Sequence, residues 1–199
     1  AYNRTIYLAS SNTNILFEDN KIIAYSTTST SNYYASIYSS FAGSNNVVFD
    51  GNEITNGQVY IYYSDDLVFT NNNIHDTYYY GVYLYNSDDT RWEDNYISAG
   101  GGSSYYGYGF YIYYGSGHNI LRNEIVGNGA YYNYGLRIYY HYGTSGNPTR
   151  IENNIIRSAG NNLYYDYGIY TYYSGNLDIK HNTISSEGSG YGGYNLMMY

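Results

Sequence analysis

Apolar and polar positions alternate in short runs along the chain. Val59-Tyr-Ile-Tyr, Val82-Tyr-Leu-Tyr, Phe110-Tyr-Ile-Tyr, Leu136-Arg-Ile-Tyr and Ile169-Tyr-Thr-Tyr all follow one template. Strict alternation predicts a strand with one buried face. A second pattern lies between those runs. An Asn stands two residues before an Ile at Asn20, Asn52, Asn72, Asn95, Asn123, Asn154 and Asn182. Three residues before each Asn is a large apolar side chain: Phe17, Phe49, Phe69, Trp92, Ile120, Ile151 and Ile179. Successive Asn positions differ by 32, 20, 23, 28, 31 and 28 residues. The step from Val59 to Leu67 recurs unchanged at Val82/Thr90, Phe110/His118 and Ile169/Leu177, so this side of the repeat is a fixed turn. One copy carries the insertion "HYGTSGNPT". Each unit therefore reads as strand, tight turn, strand, Asn corner and variable loop.

Units this short, without helical periodicity, cannot close a core alone and must stack on their neighbours. Three matching columns also argue against the low-complexity disorder that 36 Tyr and 23 Gly would otherwise suggest. On its N-x-I corners and "YGVYLYNSDD"-type segments the chain resembles the right-handed parallel β-helix proteins of the pectin-lyase-like superfamily. The resemblance implies an all-β fold, a single right-handed parallel β-helix solenoid of about seven coils over residues 1–199. It also implies an internal Asn ladder, each amide bonding the coils above and below. It is nearly silent on activity.

Stacking would align the tyrosines. Tyr60, Tyr83, Tyr111 and Tyr170 share one outward column with Tyr7 and Tyr38, and Tyr62, Tyr85, Tyr113, Tyr139 and Tyr172 share the next. Tyr63, Tyr114, Tyr140 and Tyr173 follow into the turn, and Tyr80, Tyr108, Tyr134 and Tyr167 precede glycines. The expectation is a flat, exposed aromatic surface. It would serve stability through β propensity and ring stacking, or contact with another copy or with a polysaccharide whose sugars stack on the rings.

Charge narrows the partners. With 8 Lys and Arg against 16 Asp and Glu, a net charge of −8 argues against nucleic acid. The lack of cysteine excludes disulfides and thiol chemistry. No apolar run approaches the roughly 18 residues of a membrane-spanning helix. Asp65-Asp66 and Asp88-Asp89 align on adjacent coils, as a solvated turn or as a Ca²⁺ site. No other cofactor is suggested. Lyases and hydrolases of similar fold pair carboxylates with Arg or Lys. Arg91 and Arg122 lie near the Asn corner, but no catalytic motif of those enzymes carries over, so no enzyme is expected. His75, His118, His141 and His181 fall in four different columns and are expected at the surface, without the convergence that metal binding needs. Asn3-Arg4-Thr5 is the one glycosylation sequon.

The chain opens on "TIYLAS" and closes on "YNLMMY", both in the alternating pattern, with no initiator Met and no signal peptide. The expectation is a processed chain or a piece of a longer solenoid. Without polar caps, Ile6 and Leu8 at one end and Leu196 and Met198 at the other would be axial contact residues. The function expected from the sequence is a secreted, extracellular or cell-surface structural subunit that self-associates end to end into a filament or layer. The alternative is a carbohydrate-binding or adhesive module, with a polysaccharide-cleaving enzyme behind both.

Overall fold

The computed structural model describes residues 3–25, 34–40, 45–100, 105–160, 164–188 and 190–199, and every named element in it is a strand. The strands form three stacks: one sheet of eight and two of seven. All pairings between named strands are parallel. Consecutive members of each sheet are three strands apart in sequence, so the chain visits each sheet once per coil.

The alternating runs make the eight-stranded sheet, in the order Asn3–Ala9, Tyr34–Ser40, Gln58–Tyr62, Tyr80–Tyr85, Tyr106–Tyr113, Tyr132–Tyr139, Tyr165–Tyr172, Gly192–Met198. Two inward columns run its whole length. One begins at Ile6 and passes Ile37, Val59, Val82, Phe110, Leu136 and Ile169 to Leu196. The other begins at Leu8 and passes Ser39, Ile61, Leu84, Ile112, Ile138 and Thr171 to Met198. The segments before the Asn corner make the second sheet. Inside it Phe17, Phe49, Phe69 and Trp92 stack face to face, with centroids 4.5, 4.6 and 4.1 Å apart.

The expected unit of two strands is incomplete. The Ile after each corner Asn lies in a third short strand, such as Glu53–Thr55, Tyr96–Ala99 or Ile155–Ser158. These segments are too short to display alternation, which is why the pattern concealed them. Their isoleucines explain the glycines that precede the long strands. A Cβ on Gly81, Gly109 or Gly135 would collide with the Cγ2 of Ile97, Ile125 or Ile156 and with the next coil's backbone oxygen. Only a hydrogen fits where the two sheets approach.

The Asn ladder is continuous. Side-chain amides bond from Asn20 through Asn52, Asn72, Asn95, Asn123 and Asn154 to Asn182 at 2.9–3.1 Å. Each Oδ1 from Asn52 onward also accepts the backbone N–H of the Asn one coil earlier. Each of those Nδ2 groups donates backward as well, to the carbonyls of Phe17, Phe49, Phe69, Trp92, Ile120 and Ile151. A buried amide is thus satisfied mainly by its neighbours along the axis, Asn52 alone adding a bond to Asp50 within its own coil among the described residues. The residue before each ladder Asn has positive φ: Asp19, Gly51, Asn71, Asp94, Arg122, Asn153 and His181. Mostly these are Asp, Asn or Gly, the residues that tolerate the left-handed region.

Candidate functional site

Four regions could carry chemistry. The first is the outer side of the eight-stranded sheet. Tyr60, Tyr83 and Tyr111 stand in one register column, and Tyr62, Tyr85, Tyr113, Tyr139 and Tyr172 in another, as the sequence pattern requires. The expectation of a flat exposed face is corrected. Tyr108, Tyr111, Tyr134 and Tyr167 are buried, and Tyr80, Tyr83, Tyr113, Tyr139 and Tyr170 are partly buried against them in a second hydrophobic cluster. The rings cover one another. Tyr62–Tyr85, Tyr108–Tyr134, Tyr134–Tyr167 and Tyr139–Tyr172 stack with centroids 4.8–4.9 Å apart and interplanar angles of 11–24°. A ring stacked on the next coil's ring offers its edge and hydroxyl outward, so its face is taken. Sequence could place the columns but not the tilt of the rings within them.

Arg137 interrupts the tyrosine column between Tyr111 and Tyr170. Its guanidinium carbon lies 5.0–5.7 Å from the ring centroids of Tyr108, Tyr111, Tyr134, Tyr139 and Tyr170. One Nη donates to the Tyr108 hydroxyl at 3.0 Å. The cation is balanced by ring faces instead of a carboxylate. Burial holds Tyr111 up at about 12, against the pull of Arg137, so its phenol stays protonated near neutral pH.

The second region is the aspartate turn. Asp65 Oδ1 accepts the Asp88 amide at 2.7 Å, and Asp88 Oδ1 accepts the Ser116 hydroxyl at 2.8 Å. Asp89 Oδ1 accepts from the Asn147 side chain at 2.7 Å. Asp66 and Asp89 both have positive φ. These carboxylates act as successive rungs of a turn. Burial and the neighbouring carboxylates push Asp65 above its ordinary pKa, against the Asp88 amide, and burial with Asp89 does the same for Asp66. Among the described residues, no three His, Asp or Glu side chains form a group able to hold a metal ion.

The third region corrects the placement of two histidines. His118 and His141 are fully buried, with ring centroids 6.3 Å apart. Thr149 Oγ1 accepts the His118 amide at 3.0 Å and lies 2.7 Å from His141 Nε2. His141 Nδ1 lies 3.0 Å from the Gly175 carbonyl and 3.4 Å from the Gly143 amide; the shorter contact favours a proton on Nδ1, with Nε2 accepting from the Thr149 hydroxyl. His118 Nδ1 meets Thr90 Oγ1 at 2.9 Å, and that oxygen also accepts from Trp92 Nε1 at 2.9 Å. Among the described residues, His118 Nε2 is buried with no hydrogen-bond partner. Burial, reinforced by His141, drives the His118 pKa down to about 3. The two residues belong to different columns, but both columns turn inward at the same bend. Gly115 has φ of 97°, and a Cβ there would strike the Ser87 carbonyl and stand 3.2 Å from His118 Nε2. His75, by contrast, is partly exposed and pairs with Asp76 at 2.8 Å.

The fourth region holds the arginines near the Asn corner. Arg91 makes a two-pronged bond to Glu93 at 2.6 and 2.7 Å. Arg122 bridges Glu93 at 3.0 Å and Asp94 at 2.9 Å. The Arg91 hydrogen bonds hold Glu93 below its ordinary pKa despite its burial. This is a closed ion-pair cluster. Three surface depressions, of about 520, 220 and 140 Å³, are lined by no acid, by Asp88 and by Asp76 respectively. None of the three brings together the two carboxylates that glycoside hydrolysis uses. Among the described residues no helix is long and apolar enough to cross a membrane.

A family model described as a right-handed beta helix region matches residues 2–147. Comparison with curated proteins and with solved structures found no match.

Proposed function

The chain belongs to the right-handed β-helix family, and from that premise we propose that it is a structural contact module and not a catalyst. In this reading it is an extracellular or cell-surface solenoid that associates axially with further copies and laterally through its tyrosine sheet. One observation carries the axial part. The two core columns that start at Ile6 and Leu8 are the same two that finish at Leu196 and Met198. Leu8 is buried, whereas Leu196 and Met198 are exposed. A second copy meeting that edge would continue both columns in phase, with Thr5 to Ser10 pairing onto Tyr194 to Tyr199. Further coils of a longer chain would cover it in the same way.

Light scattering across a concentration series tests this reading with Leu196→Asp and Met198→Asp. Each carboxylate sits at a solvated edge in the single molecule but would be buried unpaired in a junction, which costs several kcal/mol. Growth with concentration in the unmodified protein, lost in both variants, is expected. A single monomeric species throughout sinks axial association.

The second reading is a carbohydrate-binding or adhesive surface. The outward edges and hydroxyls of the tyrosine columns favour it through hydrogen bonding, since the ring faces are occupied. Tyr85→Ser would weaken glycan or lateral contact and leave axial growth alone.

A further inference from the structure

In four coils the turn that follows the long strand holds a bulky residue where the backbone disfavours one. Tyr63, Tyr114, Tyr140 and Tyr173 have φ of 49°, 62°, 53° and 45°. Asn86 takes the equivalent place after Tyr85, with φ of 47°. Asn or Gly suits this left-handed conformation, whereas an aromatic residue there is a strained exception. Four tyrosines in six described turns, with Ser10 and Asn86 in the other two, therefore mark the position for a reason that lies in the side chain.

What the strain gives is a lattice of phenols. Within a coil the ring in the turn packs against the strand tyrosine before it, edge-on for Tyr139–Tyr140 and Tyr172–Tyr173 and tilted by 50° for Tyr113–Tyr114. The centroid distances are 4.6 Å for Tyr113–Tyr114, 4.5 Å for Tyr139–Tyr140 and 4.5 Å for Tyr172–Tyr173. Between coils each ring stacks on its counterpart. Tyr114–Tyr140 and Tyr140–Tyr173 lie 5.7 Å apart, Tyr113–Tyr139 5.5 Å and Tyr139–Tyr172 4.8 Å. The pairs also share hydrogen bonds, and the bond that the Tyr140 hydroxyl donates to Tyr139 is the main cause that raises Tyr140 to about 12. The outer column reaches water at Tyr63 and Tyr173, 38% and 56% exposed, with Tyr114 and Tyr140 partly buried between them.

We propose that these turn tyrosines are an oxidative modification site, where a peroxidase-type oxidant joins phenols of successive coils as dityrosine. Each phenol gives up its O–H hydrogen as one electron and one proton. Two phenoxyl radicals then form one carbon–carbon bond between ring positions ortho to oxygen. The two ortho hydrogens move to the oxygens and restore both aromatic rings. The two electrons and two protons reduce one hydrogen peroxide to two waters. Two radicals held a few ångströms apart in one fold meet at an effective concentration far above that of separate chains. The product staples one coil to the next outside the core. This inference rests on the ring geometry and is independent of the filament reading.

The test treats dilute folded protein with a peroxidase and hydrogen peroxide, then maps cross-linked peptides by mass spectrometry. The expected main product is a monomer lighter by two hydrogens per link. Its link joins the peptide containing Tyr139 and Tyr140 to the one containing Tyr172 and Tyr173. The double variant Tyr172→Phe/Tyr173→Phe keeps both rings but forms no radical there, and should lose that link. Circular dichroism checks that it still folds. Tyr25→Phe/Tyr142→Phe removes two tyrosines that are more exposed, at 87% and 67%, and should keep the link. Links that follow exposure to Tyr25 and Tyr142, links mainly between molecules, or no coupling at all would each overturn the proposal.

Discussion

Inside the coil, the Asn95 amide finds its hydrogen-bond partners among the described residues in adjacent coils, at Asn72, Asn123 and Phe69. Outside, Tyr85 stacks on Tyr62 and lies against Tyr113, yet it remains half open to water. Both are ladders with the same axial repeat, roughly 4.8 Å. Their tolerance of loss differs because of what replaces the missing partner. A vacated amide leaves its neighbours' donors and acceptors orphaned in a dry interior. A vacated phenol leaves ring faces that water can reach. The inner ladder fixes register, and the outer one can accept substitutions such as Arg137 within a tyrosine column.

The comparison can be broken by substitution. Trp92 ends the inner aromatic stack and is fully buried, so Trp92→Ala should cost about 3–5 kcal/mol in urea unfolding. Acid should come next. His118 is held at about 3, and burial lowers His141 as well, both from an unfolded value of 6.5. The unfolded chain therefore takes up protons that the folded chain refuses as pH drops below about 6.5. Stability should fall by about 1.4 kcal/mol per pH unit for each histidine over the window above its folded pKa. His118→Gln should roughly halve the slope between neutral pH and mildly acidic pH, and an unchanged slope would mean that these rings are not the titrating groups.

Asn95→Ala should cost about 1–3 kcal/mol through the amides it orphans. Tyr85→Ser should cost only about 0.5–1.5 kcal/mol, the worth of lost ring pairing. Reversal of that order in chemical denaturation would break the distinction between the two ladders. The smallest effect belongs to the aspartate turn. Asp88→Asn keeps an oxygen for the Ser116 hydroxyl and should barely move the melting temperature. A rise in melting temperature with Ca²⁺ that Asp88→Asn abolishes would instead assign a cation to Asp65, Asp66, Asp88 and Asp89.

The inner columns were legible in sequence because a stacked amide or ring must recur in every coil. Seven Asn and the Phe17-to-Ile179 column therefore announce themselves at regular offsets. The third strand was not legible, since three to five residues cannot show a period. The histidines escaped for another reason. His118 aligns with Thr90 and Thr149 in the turn before the second sheet, whereas His141 arrives with the "HYGTSGNPT" insertion. Only the bend of the coil brings those two columns together. The tyrosine columns could be placed, but ring tilt depends on packing between coils, and it converts an expected flat aromatic face into a row of edges and hydroxyls.

Fibre diffraction from concentrated, aligned protein tests the central claim most directly. Copies joined through the Ile6/Leu8 and Leu196/Met198 columns should give filaments with a reflection near 4.8 Å along the fibre axis, because every strand would lie across it. Protein that stays monodisperse at high concentration and yields no oriented filament would contradict axial association.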